Sequence, residues 1–169
     1  MKKIILIATV LLSTLTAVAQ TKVGTINPEL IVSKMPDLAG VQDAIKAYNT
    51  ELETQLQAKV TDYETKIADY REKEPTMLEA EKKLKQDAII KLEQDIQQFQ
   101  ANANQLVQIK QNELLNPLYV KIGEALNEIA AAEGFSQVLS IGSGNSVAYA
   151  DPNYDLTDKV MAKLGIKVE

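Results

Sequence analysis

Hydrophobic and polar positions follow a helical period along two long stretches of this chain. In the first, apolar or aromatic side chains stand at Val41, Ile45, Tyr48, Leu52, Leu56, Val60, Tyr63, Ile67 and Tyr70, always three or four residues apart, and Glu, Gln, Lys and Asp fill the other faces. That spacing lays one apolar stripe along one side of a helix. No proline and a single glycine, Gly40, fall between Leu38 and Lys73. The helix is therefore predicted to run unbroken for roughly 50 Å at 1.5 Å per residue.

The second stripe passes through Leu84, Ala88, Leu92, Ile96, Phe99, Ala103, Leu106 and Ile109. It continues less regularly through Leu114, Leu118, Ile122, Leu126 and Ile129 to Ala132, and Gly134 is its predicted stop. Pro117 lies inside it, and because the pattern resumes on both sides a kink is expected there rather than an end. Between the stripes, Pro75 breaks the first helix and Thr76-Met77-Leu78-Glu79 reads as a capping box for the second. Neither stripe can bury itself alone, so the tight connection predicts an antiparallel helical hairpin with one seam.

The flanks differ in kind. Residues 22–27 (KVGTIN) alternate weakly, and Asn27-Pro28-Glu29 supplies a capping residue, a proline at the first helical position and an acid in the first turn. Pro36 limits that helix at Met35, and Asp37 is placed to cap the next. After Gly134, residues 136–141 (SQVLSI) and 146–150 (SVAYA) read as strands around a GSGN turn, a β-hairpin. Asp151-Pro152-Asn153 ends it, and a short helix over 156–164 stops at Gly165. The fold class is thus α+β, mainly α. A helical-hairpin arm over 38–117, its tip near 74–77, stands on a β-rich body made from 20–37 and 118–169. A body of about 70 residues with open sheet edges is marginal alone. Association through Val23, Ile26, Val138, Leu139, Ile141, Val147 and Tyr149 is the expected remedy.

The first residues address location. Lys2 and Lys3 precede a run over 4–15 that is apolar except for Thr9, Ser13 and Thr14, and Ala17-Val18-Ala19 follows. This reads as a cleaved export signal, residues 1–19, with the mature chain beginning near Gln20. The run is short of the roughly 20 residues that span a bilayer, so stable membrane insertion is not expected. The absence of cysteine removes disulfides and lipid attachment through an N-terminal cysteine.

Composition then narrows the chemistry. With neither histidine nor cysteine, the usual zinc, haem and iron–sulfur ligand sets are excluded, as are histidine-based acid–base mechanisms, and no cofactor is expected. Carboxylates such as Glu79, Glu81, Glu93 and Asp95 alternate with Lys82, Lys83, Lys85 and Lys91, the pattern of a solvated ion-pair face. An enzyme using carboxylates alone, a glycosidase for instance, would need a cleft that a two-helix arm does not offer. Gly142 and Gly144 lie between strands, so a turn explains them better than a phosphate cradle. A formal net charge of -5 without clustered basic and aromatic residues argues against nucleic acid. Tyr48, Tyr63, Tyr70, Met77 and Phe99 remain with two readings: packing in the seam, or contact with exposed apolar segments of a bound protein.

The stretch NPLYVKIGEALNEIA (116–130), running on through EGFSQVL (133–139), resembles the arm-to-body junction of the Skp/OmpH family of periplasmic chaperones. YADP (149–152) and DLTDKV (155–160) are similar to that family's closing segment, and KVGTIN (22–27) to its first strand. The resemblance covers essentially the whole mature chain and is most specific in the body. It implies a homotrimer with a central β-barrel and three helical tentacles around a cavity. Unfolded outer-membrane proteins would be held there without ATP before membrane insertion. The best-known members are basic, whereas this chain is acidic, which disfavours lipopolysaccharide binding and shifts client attraction towards apolar contact. A periplasmic coiled-coil spacer or adaptor with one fixed protein partner is the alternative.

Overall fold

A computed structural model of the chain describes residues 21–142, 144 and 147–167; the predicted signal over 1–19 lies outside the described residues. Strand β1 (Val23–Ile26) leads to helix α1 (Pro28–Lys34) and then to α2 (Asp37–Lys73). A 3-10 turn (Glu74–Thr76) joins α2 to α3 (Glu79–Glu133), which is followed by β2 (Gln137–Ser140), a second 3-10 turn (Pro152–Tyr154) and α4 (Thr157–Lys163). The chain divides into two units, residues 32–121 and residues 1–31 with 122–169.

In the unit 32–121, α2 and α3 pair antiparallel. Asp37 meets Lys121, Tyr48 meets Lys110, Lys59 meets Phe99, Asp69 meets Lys85 and Tyr70 meets Gln86. Partner numbers fall as α2 numbers rise, the register of a hairpin. All nine positions of the first stripe are buried or half-buried, with Leu52 only 6 % exposed. The second stripe needs correcting at its start, its centre and its end, where Ala132 is exposed. Leu84 is 71 % exposed and Ala88 is also outside, while Lys85 and Ile89, one residue later, turn inward. The Asp69–Lys85 ion pair lies at this inward position. Ile109 is likewise exposed, and Lys110 takes the seam position instead, its ammonium 6.0 Å from the Tyr48 ring centroid.

The tip is also capped differently from expectation. Thr76 does not cap α3; its hydroxyl donates to the Lys73 carbonyl at 3.0 Å and finishes α2. The residue before α3 is Leu78, whose N–H donates to the Glu81 carboxylate at 3.1 Å, the glutamate half of a capping box. Asp37 is not a cap either, but the first residue of α2, and its carboxylate accepts from Lys121 at 2.5 Å. Pro117 sits inside α3 without ending it. Gly134, at φ +72°, closes the helix in a Schellman turn, with Phe135 N–H donating to Ala130 O at 2.9 Å and Gly134 N–H to Ala131 O at 3.4 Å.

The other unit is built around β1. Its sheet has two strands, and they run parallel, Val23 opposite Gln137 through Ile26 opposite Ser140. Parallel strands require a long crossover, here supplied by everything between Ile26 and Gln137. Among the described residues the β-hairpin expected over 136–150 does not form; Ser143, Asn145 and Ser146 of that reading lie outside the described residues. β2 finds its ladder in β1, extended by Ser136 N–H to Lys22 O at 3.0 Å and Ile141 N–H to Ile26 O at 2.7 Å. Residues 147–150, the described part of the expected second strand, form none. On its other side β1 is bridged by Asp155, and Leu156 N–H donates to Thr25 O at 2.8 Å. Asn27 caps α1 as expected, its Oδ1 accepting from Leu30 N–H at 3.0 Å. Ile26, Ile31, Ile122, Ala125, Leu156, Val160, Met161 and Ile166 form the core, with Ile31, Leu156 and Val160 fully enclosed. The buried Thr157 hydroxyl ties the ends of this unit together, accepting from Asn27 N–H at 2.9 Å and donating to Asp155 at 2.5 Å.

Candidate functional site

Two surfaces present themselves, the flanks of the arm and the open edge of the sheet. Between residues 38 and 117, Leu52 is the one described side chain that is fully buried. The seam beside it gapes into a hollow of about 210 Å³ bordered by Leu56, Phe99, Ala103 and Val107. A shallower hollow of about 820 Å³ runs along α2 past Thr50, Thr54, Ala58, Thr61 and Thr65. The hydroxyls of Thr50, Thr54 and Thr65 donate to carbonyls four residues back, at 3.1, 2.8 and 2.8 Å.

The aromatic candidates sit at the seam's margin. Tyr48, Tyr63, Tyr70 and Phe99 are all half-buried. Lys59 stands 5.7 Å from the Phe99 ring centroid. The Tyr70 hydroxyl donates to Glu74 at 3.2 Å and accepts from Gln86 at 2.6 Å. Met77 is half-buried at the tip, in a hollow of about 360 Å³ with Thr76, Glu81 and Leu84. Charge concentrates near this end. Asp69 joins both helices by accepting from Lys73 and Lys85, which hold its carboxyl down at about 2, Lys73 contributing most. The same contact raises Lys73, and Glu79 raises Lys82. These groups lie open to water, so their ion pairs are worth little individually.

In the other unit, β2 is the outer strand of the sheet. Val23 and Leu139 are each 36 % exposed and Tyr149 is 82 % exposed, while Val138, Ile141 and Val147 are half-buried and Ile26 lies in the core. Lys22 reaches over the Phe135 ring at 3.9 Å from its centroid, and Phe135 meets Tyr154 edge to face at 6.1 Å. Among the described residues no His/Cys/Asp/Glu cluster suited to a metal occurs, and no helix is long and apolar enough to cross a membrane. Sequence reasoning passed over one surface, the exposed amide side chains in the middle of α3. Their signal was the run from Ile96 to Ile109, which contains no charged residue.

A long helical hairpin inserted in sequence between the two strands of a small parallel sheet defines the class, an arm-and-body protein of the α+β type. The chain belongs to the OmpH-like outer membrane protein family, whose model matches residues 22–164. It is 24 % identical over 148 residues to the chaperone protein Skp of Yersinia enterocolitica, with 88 % of each chain covered. Its fold is that of a crystal structure of an OmpH-like protein from Caulobacter crescentus, at a TM-score of 0.61 and 17 % identity, over 86 % of this chain and 85 % of the other.

Proposed function

We propose that this chain is an ATP-independent holdase of the periplasm, exported by a cleaved signal, that keeps unfolded outer-membrane proteins from aggregating. Several copies, three by resemblance to the family, would join through the β2 edge and Val23, Leu139 and Tyr149, and their arms would enclose the client. The observation that carries this reading is the thinness of the arm, with one fully buried side chain, Leu52, across residues 38–117. Such an arm has little core to protect and offers nearly all its surface to a partner. Tyr48, Tyr63, Tyr70, Met77 and Phe99 lie where a client that loosens the seam could reach them. Kinship with a chaperone of Yersinia enterocolitica supports the same reading.

Affinity in this scheme is the sum of many weak contacts. Each buried apolar group contributes on the order of 1 kcal/mol, and enclosure raises the effective concentration of the rest. Release needs no nucleotide, because a client that folds buries the surface being held. The acidic composition gives no bulk attraction to lipopolysaccharide. The test is light scattering of an unfolded β-barrel membrane protein diluted from denaturant, with the mature chain present and nucleotide absent. Suppression near one oligomer per client, repeated with unrelated clients, supports the holdase. Suppression of a single protein alone points to an adaptor with a fixed partner, and no suppression at any ratio ends the proposal.

A further inference from the structure

Ten carboxamide side chains lie between Gln94 and Asn112 on α3, and all ten are exposed. Elsewhere on the arm three of the six other amides are engaged: Gln55 with Glu51 at 3.0 Å, Gln57 with Thr61 at 3.4 Å, Gln86 with Tyr70 at 2.6 Å. These ten make no side-chain hydrogen bond within the described chain. One row of them, Gln97, Gln100, Asn104, Gln108 and Gln111, advances by three or four residues and so holds one flank of the helix beside the seam. It spans about 21 Å at 1.5 Å per residue.

We propose that this row binds the main chain of an extended client polypeptide; the inference rests on the holdase reading and specifies its recognition chemistry. Unfolded proteins differ in every side chain but share the peptide group, which is neutral and carries one donor and one acceptor. The carboxamide is the side chain with that same pair. Amides four residues apart on a helix rise about 6 Å, close to the roughly 6.7 Å between same-side residues of an extended chain. About six client residues therefore lie along the row. Between Ile96 and Ile109 α3 itself offers a charged ligand no partner, Glu53 and Lys59 on α2 bordering only its seam side, and a second helix has no apolar stripe to dock on along this flank. Hydrogen bonding to the main chain makes the grip tolerant of sequence, which an acidic arm cannot achieve by attracting one sign of charge.

The test uses the full mature chain and a twelve-residue peptide of Ala, Ser, Thr and Gly, beside the same peptide N-methylated at alternate residues. Methylation removes main-chain donors and leaves the side chains in place. Fluorescence anisotropy is expected to show the parent peptide binding about tenfold tighter, as the loss of two or so neutral hydrogen bonds requires. The combined variant Gln97→Ala, Gln100→Ala, Asn104→Ala and Gln108→Ala, made of good helix formers, should bind both peptides equally and weakly. Equal affinity of the unaltered protein for the two peptides, including no measurable binding of either, overturns the proposal. So does discrimination that survives in the variant, or a changed oligomer mass on substitution, which would assign the row to contacts between copies. Suppression of client aggregation by the unaltered protein is measured alongside. Its failure removes the holdase reading itself, whereas suppression without discrimination removes only this inference.

Discussion

Replacing Leu52 by alanine should loosen the arm and leave the body intact. Leu52 is 6 % exposed, so the substitution withdraws three buried carbon groups at about 0.8 kcal/mol each, about 2.4 kcal/mol in all. A rigid core would add the cost of an empty cavity and reach the upper part of the usual 2–5 kcal/mol range. Here the site already borders an open hollow of about 210 Å³, so water fills the space and the transfer term stands nearly alone. Segment-resolved hydrogen exchange of the mature chain is the assay. Amides of residues 44–60 and 96–110 should exchange about sixtyfold faster, the kinetic equivalent of that free energy. Amides of β1 and β2, which belong to the other unit, should keep their rates. Equal acceleration in both units, or less than about fivefold in the arm, would refute the picture of a one-seam arm that opens by itself.

Further substitutions probe the joints. A Cβ on Gly24 would stand 2.9 Å from Phe135 Cε1 and 3.1 Å from the Tyr154 carbonyl oxygen, so Gly24→Ala should destabilise the body by about 1–3 kcal/mol; an unchanged urea midpoint would contradict this. Two helix glycines should move in opposite directions. Gly134→Ala places a side chain at φ +72° and should cost about 1 kcal/mol, while Gly123→Ala, with nothing within 4 Å of the new carbon, should gain about 0.5–1 kcal/mol, both read from thermal melts. Asp69 gives a pH test: its carboxyl is lowered to about 2, so its contribution is complete above the unfolded value near 4 and disappears as pH falls through about 2. Exchange protection at residues 66–86 should therefore separate Asp69→Asn from the parent above about pH 4 and merge with it near pH 2; a difference that grew in acid would contradict the assignment.

What the sequence made legible follows from how local each signal was. The arm was plain because a 3.6-residue period repeats over dozens of positions, and each stop had its own residue, Pro75 for α2 and Gly134 for α3. The phase of α3 was not, because the inward position at its tip is occupied by Lys85, paired with Asp69, a polar contact that an apolar count cannot register. Strand pairing was missed for a related reason. The GSGN turn is a strong local hairpin signal, whereas the ladder that forms joins Val23 to Gln137 across more than a hundred residues and leaves no trace in either neighbourhood. The aromatic candidates were found by residue type, which places them on the stripe without distinguishing the seam from its rim. The amide row was visible as an uncharged run, yet a search for apolar anchors passes over it.

Native mass spectrometry of the mature chain, alone and after dilution of an unfolded outer-membrane β-barrel into it, tests the enclosure most directly. The expected spectrum holds one species of three protomers and, with client, the same three protomers carrying a single client chain. A protein that stays monomeric at micromolar concentration, or that binds client as separate single copies, would contradict the idea that an edge strand gathers the arms into a cage.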